Sequence, residues 1–92
     1  MAEVGKDRQT ADVLDEIARI LATPNAWTQG AQERDGRYDL TGAILKSGVS
    51  LAHPAARAIQ NQIGDFLIWR WNDTPGRTHA EVIAAIRAAR KA

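Results

Sequence analysis

Apolar side chains recur along most of this chain at the three- and four-residue spacing of amphipathic helices. The clearest stripe follows Thr10, and the charged residues of that segment fall outside it. Thr10 is expected to cap this first helix, and Pro24 to stop it, because the residue before a proline avoids the helical region. Residues 1–9 are polar and predict a flexible N-terminal segment. The stripe consists of Val13, Leu14, Ile17, Ile20 and Leu21.

A second helix is predicted over residues 40–47. Asp39 precedes it as an N-cap, and Gly48 follows at the position where a left-handed residue commonly ends a helix. Gly42 lies inside this helix and costs up to about 1 kcal/mol relative to alanine. We therefore expect a close contact at Gly42, with Trp27 or with another helix.

The third helix begins at His53-Pro54, which predicts a cap followed by proline in the first turn. Its apolar residues repeat at helical spacing down to about Ile68, and Gly64 interrupts them where only a small residue fits. These apolar residues are Ile59, Ile63, Phe66 and Leu67.

The start of the last helix is sharply specified. Residues 74–77 (Thr-Pro-Gly-Arg) have the proline and glycine of a β-turn. Thr78-x-x-Glu81 is a capping box, in which each side chain accepts a hydrogen bond from the other residue's amide. The helix is predicted from His79 to about Ala89.

Residues 24–39 form the longest stretch without a helical period. Connections of this length are usually functional or disordered. Asp35-Gly36 is compatible with a short β-ribbon over residues 32–38. The predicted fold is therefore mainly α, with one compact four-helix domain over residues 10–92. A short β-ribbon between helices 1 and 2 is compatible with the sequence but not required by it.

Composition excludes several classes of protein. The chain has no cysteine, so neither a disulfide framework nor a thiolate zinc site can form. The first twenty residues carry five acidic groups and no long apolar run, which argues against a signal peptide. No apolar stretch approaches the roughly 20 residues of a membrane span. We expect a cytoplasmic protein that does not bind membranes.

Charge is unevenly distributed although the net charge is only +1. Residues 1–39 hold eight acidic and five basic groups, whereas residues 40–92 hold three acidic and seven basic groups. The basic residues at the C-terminus complement the helix dipole. They do not form the long basic run that is typical of a nucleic-acid-binding surface. The pI of 8.2 is also below the value of about 9 that is typical of nucleic-acid-binding domains. The residues available for nucleic-acid binding are Arg57, Arg77, Arg87, Arg90 and Lys91.

The order of several short motifs resembles a family of small uncharacterised bacterial and phage proteins. The motifs are Trp27-x-x-Gly30, Gly36, Gly42-Ala43, Trp71-Asn72-Asp73, Thr78 and Glu81-Val82. The resemblance covers roughly residues 10–90 and implies a first helix, a Trp-x-x-Gly loop, a Gly-Ala helix and a last amphipathic helix. It implies no activity. That family commonly has a cysteine just before the Gly-Ala helix, where this chain has residues 38–40 (Tyr-Asp-Leu), so a thiol-based role has no counterpart here.

Candidate catalytic and metal-binding groups are few. Ser50 lies in a segment that loosely resembles a nucleophile elbow, but the glycine required after the serine is missing. His53 and His79 do not pair with another ligand at helical spacing. No phosphate-binding glycine loop occurs. We therefore predict no catalytic residue, no metal site and no cofactor.

Gly48-Val49-Ser50 also resembles the turn of a helix-turn-helix motif. Ile44 replaces the small residue expected before this turn, and Pro54 falls inside the would-be recognition helix. Arg57 and its polar neighbours on the following helix could contact DNA, but they equally suit a solvated face.

The function predicted from sequence is a non-enzymatic protein–protein interaction or regulatory module, with a second copy of the chain as one candidate partner. Nucleic-acid binding is the alternative. Trp69 and Trp71 are two positions apart and cannot share a helical face, so one is expected in the core and one near the surface. The candidate partner-binding residues are Trp27, Tyr38 and Trp69, rimmed by Arg34, Arg37 and Arg70.

Overall fold

The computed structural model describes residues 9–92. In that range the chain is mainly helical, as predicted, and it contains a short antiparallel ribbon between the first two helices. The predicted flexible segment lies outside the described residues except for Gln9. The elements are α1 (Thr10–Ile20), a 3-10 turn (Pro24–Ala26), β1 (Glu33–Arg34), β2 (Arg37–Tyr38), α2 (Leu40–Lys46), α3 (Pro54–Ile63), α4 (Ile68–Asn72) and α5 (His79–Lys91).

The core lies where α5 packs against both α1 and α3. α2 and α4 pack on each other, with α2 also against α1 and α4 against α3. Each large aliphatic side chain removed from water here contributes roughly 1.5–3 kcal/mol to stability. The largest buried apolar residues are Leu14, Ile17, Leu21, Leu40, Ile44, Ile59 and Ile86.

The start of α1 differs from the prediction by one residue. Thr10 is already helical, and Gln9 occupies the N-cap position without a side-chain hydrogen bond. The helix is held instead by its buried stripe and by Asp12 in the first turn, where the helix dipole favours a negative charge.

The predicted caps of α3 and α5 are confirmed. His53 Nδ1 accepts a hydrogen bond from the Ala55 amide at 3.0 Å, with Pro54 following the cap. At α5, Thr78 Oγ1 accepts from the Glu81 amide at 3.2 Å, and Glu81 Oε1 accepts from the Thr78 amide at 2.8 Å.

The predicted third helix is wrong in its length. α3 ends at Ile63 because Gly64 takes a left-handed conformation (φ 71°), which glycine adopts without the penalty of a Cβ atom. Phe66, whose spacing predicts that it continues the apolar residues of this helix, is instead exposed in the turn that follows. A separate helix, α4, begins at Ile68, so residues 9–92 contain five helices rather than four.

The ribbon forms around the predicted turn. Asp35 and Gly36 both have positive φ, 53° and 79°, as the tight turns of two-residue hairpins require. Tyr38 also forms a parallel bridge with Trp27, through the Thr28 amide donating to the Tyr38 carbonyl at 3.1 Å. The ribbon is thus joined to the segment that follows α1.

Gly42 does make a close contact, but not with Trp27 or a helix. A Cβ atom at this position would overlap the main-chain carbonyl of Gln32, which leads into β1. The same carbonyl accepts a hydrogen bond from the Asp39 amide at 3.2 Å. Gly42 therefore lets the ribbon pass directly over the start of α2.

No helix within residues 9–92 combines the length and the apolar character needed to cross a bilayer.

Candidate functional site

One buried side chain, that of Asn72 at the end of α4, links three separate segments. Its Oδ1 accepts hydrogen bonds from Trp27 Nε1 at 2.7 Å and from the Leu40 amide at 3.1 Å. Its Nδ2 donates to the Thr28 carbonyl at 3.2 Å. We call these four residues the Asn72 junction. It ties the long loop after α1 to α2 and α4.

Neighbouring polar groups strengthen the attachment of the loop. Gln29 Nε2 donates to the main-chain carbonyls of Asn72 and Thr74, at 2.9 and 3.2 Å. Asp73 Oδ1 accepts from the Gly30 amide at 3.0 Å and from Asn72 Nδ2 at 2.9 Å. A segment without regular structure is thereby fixed by hydrogen bonds rather than by a large apolar core.

Two of the three tryptophans are engaged inside the fold. Trp27 packs against the core and lies 6.4 Å from the ring of His79, whose Nε2 donates to the Leu21 carbonyl at 2.6 Å. Trp71 is half-buried, and the Arg77 guanidinium lies over it at 3.9 Å while donating to the Trp71 carbonyl at 3.0 Å. The expected division is confirmed, since Trp71 packs against the core and Trp69 is exposed.

Asp39, the N-cap of α2, is buried beside the Asn72 junction. Burial raises the pKa of its carboxyl group above the ordinary 3.8, and the negative charge of Asp73 raises this pKa further. The Gly42 amide opposes the shift by donating to Asp39 Oδ1 at 2.5 Å. The carboxylate therefore caps the helix while its charge is poorly solvated.

The Asp39→Asn variant tests this balance, because asparagine keeps an oxygen that accepts from Gly42 and removes the charge. A pKa that is raised in the folded state means that the folded chain binds a proton more readily than the unfolded chain. Acidification from neutral pH towards about 4 should therefore stabilise the parent relative to the variant. Urea denaturation of both proteins across this range measures the difference; a parent that loses stability relative to the variant would contradict it.

Five large apolar side chains of residues 9–92 are exposed, and four of them line a common groove. Phe66 is 76% exposed and Trp69 51%, and Leu45, Leu51 and Leu67 are between 36% and 42% exposed. We call these five residues the apolar surface. Contiguous exposed apolar patches commonly mark binding sites in soluble proteins.

Two neighbouring grooves contain the whole apolar surface. The first, of about 190 Å³, is lined by Gln32, Thr41, Leu51, Gln60, Phe66, Leu67, Ile68 and Trp69. The second, of about 370 Å³, is lined by Gln32, Glu33, Tyr38, Gly42, Leu45 and Lys46. They share Gln32, and Thr41 and Leu45 are four residues apart on one face of α2.

The first groove also contains an unusual polar group. Thr41 lies in its wall and is only 3% exposed, yet its hydroxyl has no hydrogen-bond partner within the described residues. Thr41 is the second residue of α2, so no carbonyl of a preceding helical turn is there to accept from it. Buried hydroxyls are normally satisfied, and each exception requires an explanation.

The structure separates the six candidate partner-binding residues. Trp69 and Tyr38 line the two grooves, whereas the indole N–H of Trp27 is used in the Asn72 junction. Arg34 and Arg37 are exposed on the ribbon, and Arg70 is exposed on α4. Arg70 donates to Asp65 at 2.9 and 3.1 Å, which lowers the pKa of the Asp65 carboxyl group.

Sequence analysis missed the other residues of the first groove. Phe66 and Leu67 are predicted there as apolar residues of the third helix, and Leu51 is not singled out. One available signal was Gly64: read as the end of α3, it removes Phe66 from the helical pattern and places it in a turn.

The basic residues of the nucleic-acid alternative do not form one surface. Arg77 is stacked on Trp71 at the start of α5, while Arg90 near its end pairs with Asp15 at 3.0 Å. Arg77 lies before the start of α5 and Arg90 near its other end, and this helix of 13 residues is about 20 Å long. Arg87 and Lys91 line a shallow groove between α1 and α5 together with Arg90. Arg57 is exposed on α3.

The other chemistry-bearing side chains have local structural roles. Ser50 Oγ accepts from the Ala52 amide at 3.2 Å in the turn before α3, and His53 caps that helix. Between residues 9 and 92, no three histidine or carboxylate side chains converge as a metal site would require.

These features define a small helical domain whose long loop is fixed by a buried asparagine. The chain belongs to DUF6197, a family of unknown function that matches residues 5–92. No curated protein and no solved structure matches it.

Proposed function

We propose that this protein is a non-enzymatic interaction module that binds another protein through the apolar surface. One observation carries the proposal: every large apolar side chain that is exposed in residues 9–92 lines one of two grooves sharing Gln32. Exposed apolar residues scattered singly would need no explanation, but this concentration does. Aromatic residues such as Trp69 frequently anchor protein interfaces.

The dimensions of the first groove favour a protein partner over a small ligand. Its volume of about 190 Å³ lies below the roughly 300–1,000 Å³ of typical small-molecule pockets. It is large enough for one or two side chains from a partner. The polar groups of Gln32 and Gln60 at its walls suit hydrogen bonds to a neighbouring main chain.

A photo-reactive amino acid at position 69 tests the proposal in cells that produce the protein. p-Benzoylphenylalanine replaces Trp69 in one variant and Ala84, an exposed residue of α5, in the control. We expect discrete protein adducts from position 69 and none of the same mass from position 84, with partners identified by mass spectrometry. Absence of adducts at position 69, adducts to nucleic acid, or the same adducts from both positions would overturn the proposal.

A further inference from the structure

Phe66 projects from the apolar surface on a well-anchored turn. Its main-chain carbonyl accepts from Gln60 Nε2 at 3.0 Å, and Asp65 Oδ1 accepts from the Leu67 amide at 2.9 Å. The Asp65 carboxylate is itself held by Arg70. A large side chain that is presented on a fixed backbone loses little conformational freedom when it binds.

The first groove lies directly beside this projecting ring. Its volume of about 190 Å³ is comparable with the 150 Å³ apolar cavity that accommodates a benzene molecule. Its apolar walls are supplied by Leu51, Leu67, Ile68 and Trp69, and Phe66 itself borders it. A projecting ring and a groove of matching size on the same surface are the two halves of an isologous contact, in which each copy provides both.

The exposed area is close to the lower limit for a specific dimer. Phe66 and Trp69, at 76% and 51% exposed, leave roughly 300 Å² of aromatic surface in solvent. The three leucines of the apolar surface bring the total to about 500 Å² for one copy, and hence about 1,000 Å² for two. Interfaces at this low end of the size range are typically weak and transient.

Charges near the apolar surface also suit a second copy. Glu33 and Lys46 line the second groove. The Asp65–Arg70 ion pair lies next to Phe66, which borders the first groove. Each end of the surface therefore carries both signs. A two-fold axis can place the two ends against each other without a repulsive net charge, whereas a rim of one sign would repel an identical partner.

From these observations we infer that the partner at the apolar surface is a second copy of this chain, with Phe66 of each copy inserted into the first groove of the other. The inference rests on the proposed function and names its partner.

Sedimentation velocity on the purified full chain tests the inference between about 1 and 500 µM, a range that spans micromolar affinity. We expect a monomer–dimer equilibrium for the parent. Phe66→Glu should weaken dimerisation at least tenfold, because it places a charge in an apolar groove. Ala84→Glu adds the same side chain on exposed α5 and should leave dimerisation unchanged. A parent that stays monomeric throughout, or equal weakening by both variants, would overturn the inference.

A cross-linking experiment locates the contact. p-Benzoylphenylalanine at position 66 keeps an aromatic ring there, and mixing ¹⁴N- and ¹⁵N-labelled chains separates contacts between copies from contacts within one copy. We expect mixed-isotope adducts at Thr41, Leu51 or Gln60 of the other copy; adducts between copies at α1 or α5 instead would contradict the arrangement. A monomeric protein that still gives heterologous adducts from position 69 would refute the second copy while leaving the proposed function intact. A monomeric protein that gives no adducts from position 69 would refute both the second copy and the proposed function.

Discussion

Asn72→Ala is expected to lower the free energy of unfolding by about 3–5 kcal/mol. The substitution removes the acceptor for Trp27 Nε1 and for the Leu40 amide, and the donor to the Thr28 carbonyl. Each buried polar group left without a partner costs about 1–3 kcal/mol. A domain of this size has about 5–15 kcal/mol in total, so the variant should be close to unfolding. Urea denaturation followed by tryptophan fluorescence measures the loss.

A double-mutant cycle shows whether the Asn72 junction is responsible. Trp27→Phe removes the indole N–H donor together with part of the ring that packs on the core. The loss in the double variant with Asn72→Ala should fall well below the sum of the two single losses, with a coupling of about 1 kcal/mol or more. Asn61→Ala, at an exposed position of α3, is the matched control and should change stability by less than about 0.5 kcal/mol. Additive effects of Trp27→Phe and Asn72→Ala, or an Asn72→Ala loss no larger than that of the control, would contradict the role assigned to the junction.

The elements that sequence predicted best are those whose determinants lie within a few residues. The capping box at Thr78, the proline after His53 and the turn at Asp35-Gly36 each depend on neighbours in the chain, and the structure confirms all three. The alternation of turn and helix is therefore encoded locally. A mainly α fold follows from these signals and from the helical spacing of the apolar residues.

Errors arose where one residue has two local interpretations. Gly64 was interpreted as a small residue inside a helix, but its left-handed conformation ends α3. Periodicity cannot separate these cases, since Phe66 and Leu67 continue the spacing of the preceding helix by coincidence. Tertiary packing decides whether the helix continues past Gly64, because the chain has to change direction there so that α4 brings Asn72 into the interior.

The candidate site was least predictable because it depends on contacts between distant segments. Asn72 is hydrogen-bonded to Trp27 and Thr28, which are more than forty residues away along the chain. Nothing local distinguishes a buried asparagine from one that shapes a turn. In this chain the segments Trp27-x-x-Gly30 and Trp71-Asn72-Asp73 meet at the Asn72 junction, although more than forty residues separate them.

Gly42→Ala tests how the ribbon packs on α2, because helix propensity and steric overlap predict changes in stability of opposite sign. Helix propensity alone predicts that alanine stabilises the helix by up to about 1 kcal/mol. The added Cβ atom would instead overlap the Gln32 carbonyl, which is main chain and already bonded to the Asp39 amide. We expect a net destabilisation of about 1–3 kcal/mol, because packed backbone must move to admit the methyl group.

Ala84→Gly, at an exposed position of α5, is the control that measures the propensity difference in this chain, and it should cost roughly 1 kcal/mol. If propensity governed both sites, Gly42→Ala would stabilise the protein by a similar amount; a gain of that kind would disprove the close approach of Gln32. If the clash governs position 42, both substitutions destabilise the protein, although they change glycine and alanine in opposite directions. The ¹⁵N–¹H shifts of the Gln32 and Asp39 amides should then move in the Gly42→Ala variant alone, since only that variant displaces the ribbon that covers the start of α2.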